Sequence, residues 1–253
     1  MTTPDPVAFT IFGISVRWYG ILIAAAIICG GIVMFRRAKA RGISGDDVTD
    51  ILLAAVPCGI IGARAYYVAF NWDFYRGSAY RIMDFRAGGL AVHGGLILGL
   101  LGAYLMCRHK NIRFADALDS AAPGIALAQA IGRWGNFFNG EAHGGPTDLP
   151  WGVIVDGVRV HPTFLYESLW CLALFFFLMW LDRHREFALQ TFLAYAFLYS
   201  VERFFVEYLR TDSLMIGPFK QAMVLSAAVM LACAAAYVIL YRKNKKKKSA
   251  SAH

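Results

Sequence analysis

Residues 129–145 read QAIGRWGNFFNGEAHGG and load the end of an apolar run with Gln129, Arg133, Asn136, Asn139, Glu141 and His143. Arg133 and Asn136 are three apart, so a helix presents them on one face. Arg64, Arg203, Glu167, Glu202 and Glu207 also fall within apolar segments, and Tyr19, Tyr166, Tyr199, His93 and Arg210 lie in or beside them. Guanidinium forks match phosphate and carboxylate oxygens. Gly132, Gly135 and Gly140 would let backbone approach a ligand closely. The combination suits an anionic, phosphate-bearing ligand. His93, His143 and His161 are isolated, and the sequence has no HExxH, no GxSxG elbow and no P-loop, so no metal, cofactor or acyl-enzyme chemistry is expected.

The elements that must hold these residues are set by composition. The 253 residues are 58% hydrophobic and 17% charged, with a mean hydropathy of +0.50, whereas soluble domains carry about 25% charge. Seven apolar segments fall at roughly 18–35, 48–70, 89–107, 115–138, 163–181, 188–208 and 220–241, each near the length that crosses a bilayer. They are too long and continuous for barrel strands, so helices are expected, with Pro57 and Pro123 inside the second and fourth. The expected fold is an all-α integral membrane protein of seven transmembrane helices. It forms one catalytic domain over 1–241, followed by a basic, disordered cytoplasmic tail over 242–253. The segment 139–162 carries WGVIVDGVRVH, which alternates around Asp156-Gly157, a hairpin signal. A small extracytoplasmic β-hairpin head is expected there. Cys29, Cys58, Cys107, Cys171 and Cys233 are scattered singly and read as small packing residues. The net charge of +8 does not point to nucleic acid, because six of the 25 basic residues sit in the tail, where an anionic membrane surface attracts them. The N-terminal stretch lacks the basic start and cleavage site of a removable signal peptide.

Orientation follows from lysine and arginine in the short loops. Fifteen fall in the loops after the first, third and fifth segments and in the tail, against seven on the other side. The N-terminus is therefore expected outside and the C-terminus in the cytoplasm. With that orientation Tyr19, Arg64, His93, Gln129, Arg133, Asn136, Tyr166, Glu167, Tyr199, Glu202, Arg203, Glu207 and Arg210 converge at outer-leaflet depth. Each alone has a structural reading: Arg203 and Glu207 as an i,i+4 pair, Arg64 paired with Glu167 or Glu202, the tyrosines as interfacial aromatics. Structural polar contacts would be spread over both leaflets, and the clustering in one argues for a site. An anion transporter would place its site near the midplane between repeats, and no repeat is visible. A membrane scaffold would not explain the intramembrane arginines.

HGGLILG (93–99), IGRWGNFFNGEAHG (131–144), HPTFLYES (161–168) and ERFFVEYLR (202–210), with RWYG at 17–20, resemble the bacterial phosphatidylglycerol–prolipoprotein diacylglyceryl transferases along the whole chain. The GRxGNFxNGE pattern is specific to that family. The resemblance implies an inner-membrane enzyme without cofactors. It would move a diacylglyceryl group from phosphatidylglycerol to the lipobox cysteine of prolipoprotein signal peptides, releasing glycerol 1-phosphate, as the first step of lipoprotein maturation. It implies Arg133 as the phosphatidylglycerol-binding arginine, with Asn136 and Glu141 in the same motif. Arg203 becomes the second essential arginine, flanked by Tyr199, Glu207 and Arg210. Tyr19 matches the family's N-terminal tyrosine and His93 the proposed base. Arg64 and Glu167 complete the expected substrate-binding set.

Overall fold

The computed structural model describes residues 4–84, 88–211 and 213–250. Seven long helices occupy the expected segments: α1 (Trp18–Lys39), α2 (Gly45–Phe70), α5 (Val92–His109), α6 (Phe114–Asn139), α7 (Thr163–Arg183), α8 (Gln190–Leu209) and α9 (Gln221–Ala250). Two short helices, α3 (Trp72–Tyr75) and α4 (Ala79–Met83), lie between α2 and α5. Among the described residues, α1, α2, α7 and α9 are long and apolar enough to cross a membrane. The polar residues of α6 and α8, Asp116, Asp119 and Arg133 in one and Glu202, Arg203 and Glu207 in the other, dilute the apolar character of those two.

The polarity of this protein is inverted relative to a soluble one. Ile28, Leu53, Ile61, Leu96, Phe176, Leu231 and Ile239 are all more than half exposed. Asp119, Thr163, Glu167, Thr191, Glu202 and Glu207 are buried. Water would not tolerate an apolar surface of that extent. Hydrocarbon does, and it penalises polar atoms left outside.

The chain forms two compact units. One is Phe35–Ala117, and the other gathers the chain before and after it. In Phe35–Ala117, α2 packs along α5 through small residues. A Cβ on Gly62 would lie 2.4 Å from the Gly94 carbonyl oxygen, and one on Gly94 only 2.2 Å from that of Gly62. Gly95 against Gly59 and Gly99 against Ala55 repeat the approach at 3.2 and 3.3 Å. The HGGLILG glycines therefore seat backbone on backbone, as small residues do where lipid supplies no hydrophobic drive. Ser44 caps α2 by accepting from the Asp47 amide at 3.1 Å. Lys110, just beyond α5, bridges to Asp50 and, at 3.5 Å, to Asp47, closing the far end of the pair.

In the other unit, α1 meets α6 at Gly30 and Gly124, where a Cβ on Gly124 would stand 2.4 Å from the Gly30 carbonyl. Asp119 of α6 is fully buried and accepts from Arg185 Nη1 and from the Leu189 and Phe192 amides at 2.8, 2.8 and 2.9 Å. A side chain from one helix thus satisfies the open N–H groups at the start of α8. A hairpin of β3 (Val153–Val155) and β4 (Val158–Val160) turns at Asp156 and Gly157, φ 49° and 80°, the positive values a type I′ turn needs. Its buried Val153, Val155 and Val160 pack on Phe164 and Phe137, fixing it to α7 and α6.

Two further hairpins, β1–β2 (Val7–Ile11, Ile14–Arg17) and β5–β6 (Met215–Ile216, Phe219–Lys220), escaped the sequence reading. The first turns at Phe12-Gly13, both with positive φ. Residues 242–250 were expected to be disordered but continue α9 as helix. Lysine is a good helix former, and its charge is favourable near a helix C-terminus. Residues 251–253 lie outside the described part.

Gly94→Val should overpack the α2–α5 contact and cost about 1–3 kcal/mol, seen as a lower midpoint in thermal unfolding in detergent. Gly132→Ala, where the nearest atom is Ile23 Cδ1 at 3.7 Å, should leave that midpoint unchanged or raise it slightly.

Candidate functional site

Three helices bring the charges together. The Arg133 guanidinium of α6 ion-pairs with Glu167 of α7, and its Nη2 donates to the Tyr199 hydroxyl of α8 at 3.2 Å. Arg203 Nη1 lies 3.6 Å from Glu167 Oε1, while its Nη2 pairs with Glu207 Oε2 at 2.5 Å. Glu167 is 1% exposed and so sits between two guanidinium groups that each remain about one-fifth exposed. A buried carboxylate held by two cations is the arrangement that makes such a charge tolerable. The accessible part of each guanidinium is left for an anion.

The helices that carry these groups are registered by polar contacts beneath them. Ser168, the residue after Glu167, donates to the Ala130 carbonyl at 2.8 Å and accepts from Trp134 Nε1 at 3.1 Å. Gln129 accepts from the Tyr195 hydroxyl at 3.0 Å, and Tyr195 stacks on Tyr199 with centroids 5.9 Å apart. The polar first turns of 129–145 thus fasten α6 to α7 and α8.

The second half of the motif shapes the helix end. Asn136 and Asn139 both donate to Glu141 Oε1, at 3.1 and 3.2 Å, and Gly140 takes φ 64°, the left-handed turn that ends a helix. Thr163 Oγ1 then bonds the Ala142 carbonyl, and Gly144 bridges to Arg210, tying the loop to the starts and ends of α7 and α8. His143 hydrogen-bonds through Nδ1 with the Gly144 carbonyl at 3.0 Å. Tyr166, at the top of α7, accepts from Trp151 Nε1 at 3.0 Å and so anchors the head loop.

Two expectations change. Gly135 was expected to admit a ligand, but its open face is occupied by Tyr19: an added Cβ would lie 2.6 Å from the Tyr19 ring. The glycine sets the position of the tyrosine, whose electrostatic neighbours are Arg133 and Glu141. Arg64 was expected among the substrate-binding residues, with a structural pair to Glu167 or Glu202 as its alternative reading, and no such pair stands among its described hydrogen bonds. It lies in Phe35–Ala117, 3% exposed, donating through Nε to Ile82, through Nη1 to Gly88 and Gly89, and through Nη2 to Arg81 and Asp84, all backbone carbonyls at 2.5–3.1 Å. Five carbonyls match the five N–H donors of a guanidinium. Arg64 therefore folds the connection between α4 and α5 against α2. His93, second residue of α5, is exposed, its ring 6.2 Å from that of Tyr66.

Two residues escaped the predicted set. Lys220 Nζ donates to the carbonyls of Glu207, Tyr208 and Arg210, at 2.7, 3.3 and 2.6 Å, capping α8 below the cluster. Glu202, noted in the sequence only as one of several polar residues, is 5% exposed inside the cluster. Cys107 and Cys171 are buried and the other cysteines partly so, as packing residues are. Among the described residues no group of histidine, cysteine and carboxylate side chains could hold a metal.

This arrangement offers two partly open guanidinium groups, fixed by one shared carboxylate at the end of a helix bundle with an apolar exterior. It suits the phosphate of a membrane lipid. The sequence model of the family described as Prolipoprotein diacylglyceryl transferase matches residues 6–239. The chain belongs to that family. Among curated relatives, the phosphatidylglycerol–prolipoprotein diacylglyceryl transferase of Clostridioides difficile (strain 630) is 51% identical over 236 residues, 93% of this chain and 95% of the relative. The proteins of the same name from Finegoldia magna and Clostridium novyi are 50% and 45% identical, each match covering 90% of this chain and 92% of the relative. The matched residues span the charged cluster and the helices that carry it.

Removing the carboxylate that both arginines share would leave two cations facing each other. Glu167→Ala should cost about 3–5 kcal/mol in unfolding experiments in detergent micelles. A loss below about 1 kcal/mol would mean that Glu167 is not what holds the arginines in place.

Proposed function

We propose that this chain is the phosphatidylglycerol–prolipoprotein diacylglyceryl transferase of its cell, a transferase of the cytoplasmic membrane that performs the first step of lipoprotein maturation. The observation that carries the reading is the arginine pair at Glu167. Arg133 and Arg203 bind the phosphate of phosphatidylglycerol, with Tyr19, Asn136, Glu141, Tyr199, Glu207 and Arg210 around them. The acceptor is the lipobox cysteine of a prolipoprotein. His93 takes the thiol proton, and the thiolate sulfur attacks C3 of the diacylglyceryl moiety. The S–C3 bond forms as the C3–O bond breaks, and the electron pair leaves on the phosphate oxygen of glycerol 1-phosphate. Charge grows on that phosphate, where fixed guanidinium groups stabilise the transition state more than the bound lipid. Phosphate is a weak base and leaves without a strong acid.

Seven helices span the bilayer in this reading, and the whole chain acts as one catalytic domain. The N-terminus and the 139–162 head lie outside, the C-terminus in the cytoplasm, and the arginines at outer-leaflet depth. The lysine and arginine bias of the loops supports this orientation. A site at that depth receives lipid laterally from the leaflet.

Arg133→Ala and Arg203→Ala should each lower transfer of labelled diacylglyceryl to a lipobox peptide by about a hundredfold or more. Transfer at the wild-type rate by either variant would sink the assignment. In a variant lacking the native cysteines, Val158→Cys should react with a membrane-impermeant maleimide in intact cells. Lys246→Cys should react only after permeabilisation, and the reverse pattern would invert the topology.

A further inference from the structure

Neither carboxyl oxygen of Glu202 has a hydrogen-bond partner among the described residues, although the side chain is 95% buried. Arg203 Nη1, on the next residue, is also buried without a hydrogen bond, its ion pair with Glu167 spanning 3.6 Å. Every other charge of the cluster is engaged: Arg133 by Glu167 and Tyr199, Glu207 by Arg203. Glu202 stands three residues after Tyr199 on α8, hence on the same face, and its electrostatic neighbours are Glu167, Arg133 and Arg203. Buried polar groups in a folded protein are satisfied by protein, by ordered water or by a bound ligand.

Glu202 is the carboxylate of the cluster with neither a hydrogen bond nor an ion pair among the described residues; the Glu167 oxygens also lack hydrogen bonds but are ion-paired with Arg133 and Arg203, and Arg203 Nη1 has only the longer of those pairs. A phosphodiester group by itself carries no hydroxyl and could satisfy only Arg203 Nη1. A phosphodiester whose second alcohol carries free hydroxyl groups satisfies both, with a non-bridging oxygen on the guanidinium and a hydroxyl donating to the carboxyl group. An ammonium headgroup would also offer donors, and it meets the carboxylates Glu202, Glu167 and Glu207 as well as the cations Arg133 and Arg203, so it is compared directly. Resting on the transferase reading, we infer that Glu202 determines headgroup specificity by accepting a hydrogen bond from a free hydroxyl of the donor lipid's glycerol headgroup while Arg203 holds its phosphate. Discrimination of this kind is strong because the analogue lacking the hydroxyl leaves the buried carboxyl group unpaired.

The test compares phosphatidylglycerol with phosphatidylethanol and phosphatidylethanolamine of the same acyl chains. Each is presented in detergent micelles to the purified full-length protein with a lipobox peptide, and kcat/KM is read from thioether product. The wild type should prefer phosphatidylglycerol over phosphatidylethanol by about tenfold to hundredfold. Glu202→Met, similar in length but without the acceptor, should bring that ratio to within about threefold, and Glu202→Gln, which keeps an acceptor oxygen, should retain most of it. Three results overturn the inference: a wild type indifferent to the three headgroups, a Met variant with the wild-type ratio, or a Met variant that loses both lipids in equal proportion. The wild-type comparison can overturn the inference without any variant, and if Glu202→Met fails to fold, Glu202→Ala, which cannot overpack the site, takes its place with the same two outcomes. A wild type that transfers from none of the lipids overturns the transferase reading itself, a different result from transfer without headgroup preference.

Discussion

A carboxylate shared by two arginines is the interaction on which this structure turns. Glu167 is almost wholly buried, and in hydrocarbon such a group persists only if cations are held against it. Arg133 comes from α6 and Arg203 from α8, so one side chain on α7 fixes the spacing of three helices. The shared anion also keeps two like charges within reach of one ligand. Arg133 pairs with Glu167, Arg203 with both Glu167 and Glu207, and each guanidinium keeps an accessible portion. In the proposed function the stabilising contact and the anion site are the same object.

The surrounding packing serves that object. Ser168 and Trp134 register α7 on α6, Gln129 and Tyr195 register α8, and Asp119 caps the far end of α8 from another helix. In a soluble protein these positions would be apolar and the polar groups outside. Here lipid offers no hydrophobic drive between helices, so small residues and hydrogen bonds carry the specificity of association. That is why the glycines meet carbonyls and why serine, threonine, aspartate and glutamate stand among the buried residues. This chain thus holds a charged cluster in an apolar solvent by burying it between its helices.

Much of this was legible in the chain. Apolar runs and the cost of unpaired backbone in hydrocarbon dictate long helices, and Asp156-Gly157 between alternating valines dictates the hairpin turn. The spacing of Arg133 and Asn136, and of Arg203 and Glu207, puts each pair on one helix face. The motif IGRWGNFFNGE and its companions indicated the family, which comparison with known relatives established. Polar residues inside apolar runs marked Arg133, Glu167 and Arg203 before any fold was known, because such charges are too costly to be incidental.

Tertiary structure decided which of those charges meet. Sequence spacing says nothing about partners on different helices, so Arg64, Arg133 and Arg203 looked alike. Arg64 spends its five donors on backbone carbonyls of one connection, and the other two share Glu167. Likewise Gly135 reads as space for a ligand until Tyr19 fills it, and Glu202 reads as one more carboxylate until it proves buried without a partner. The Phe12-Gly13 turn, the Lys220 cap and the helical continuation through Ala250 also lacked a periodic signal. Periodicity and burial cost act along one chain and can be read from it. Pairing depends on which faces come together in space, and only the folded arrangement supplies that.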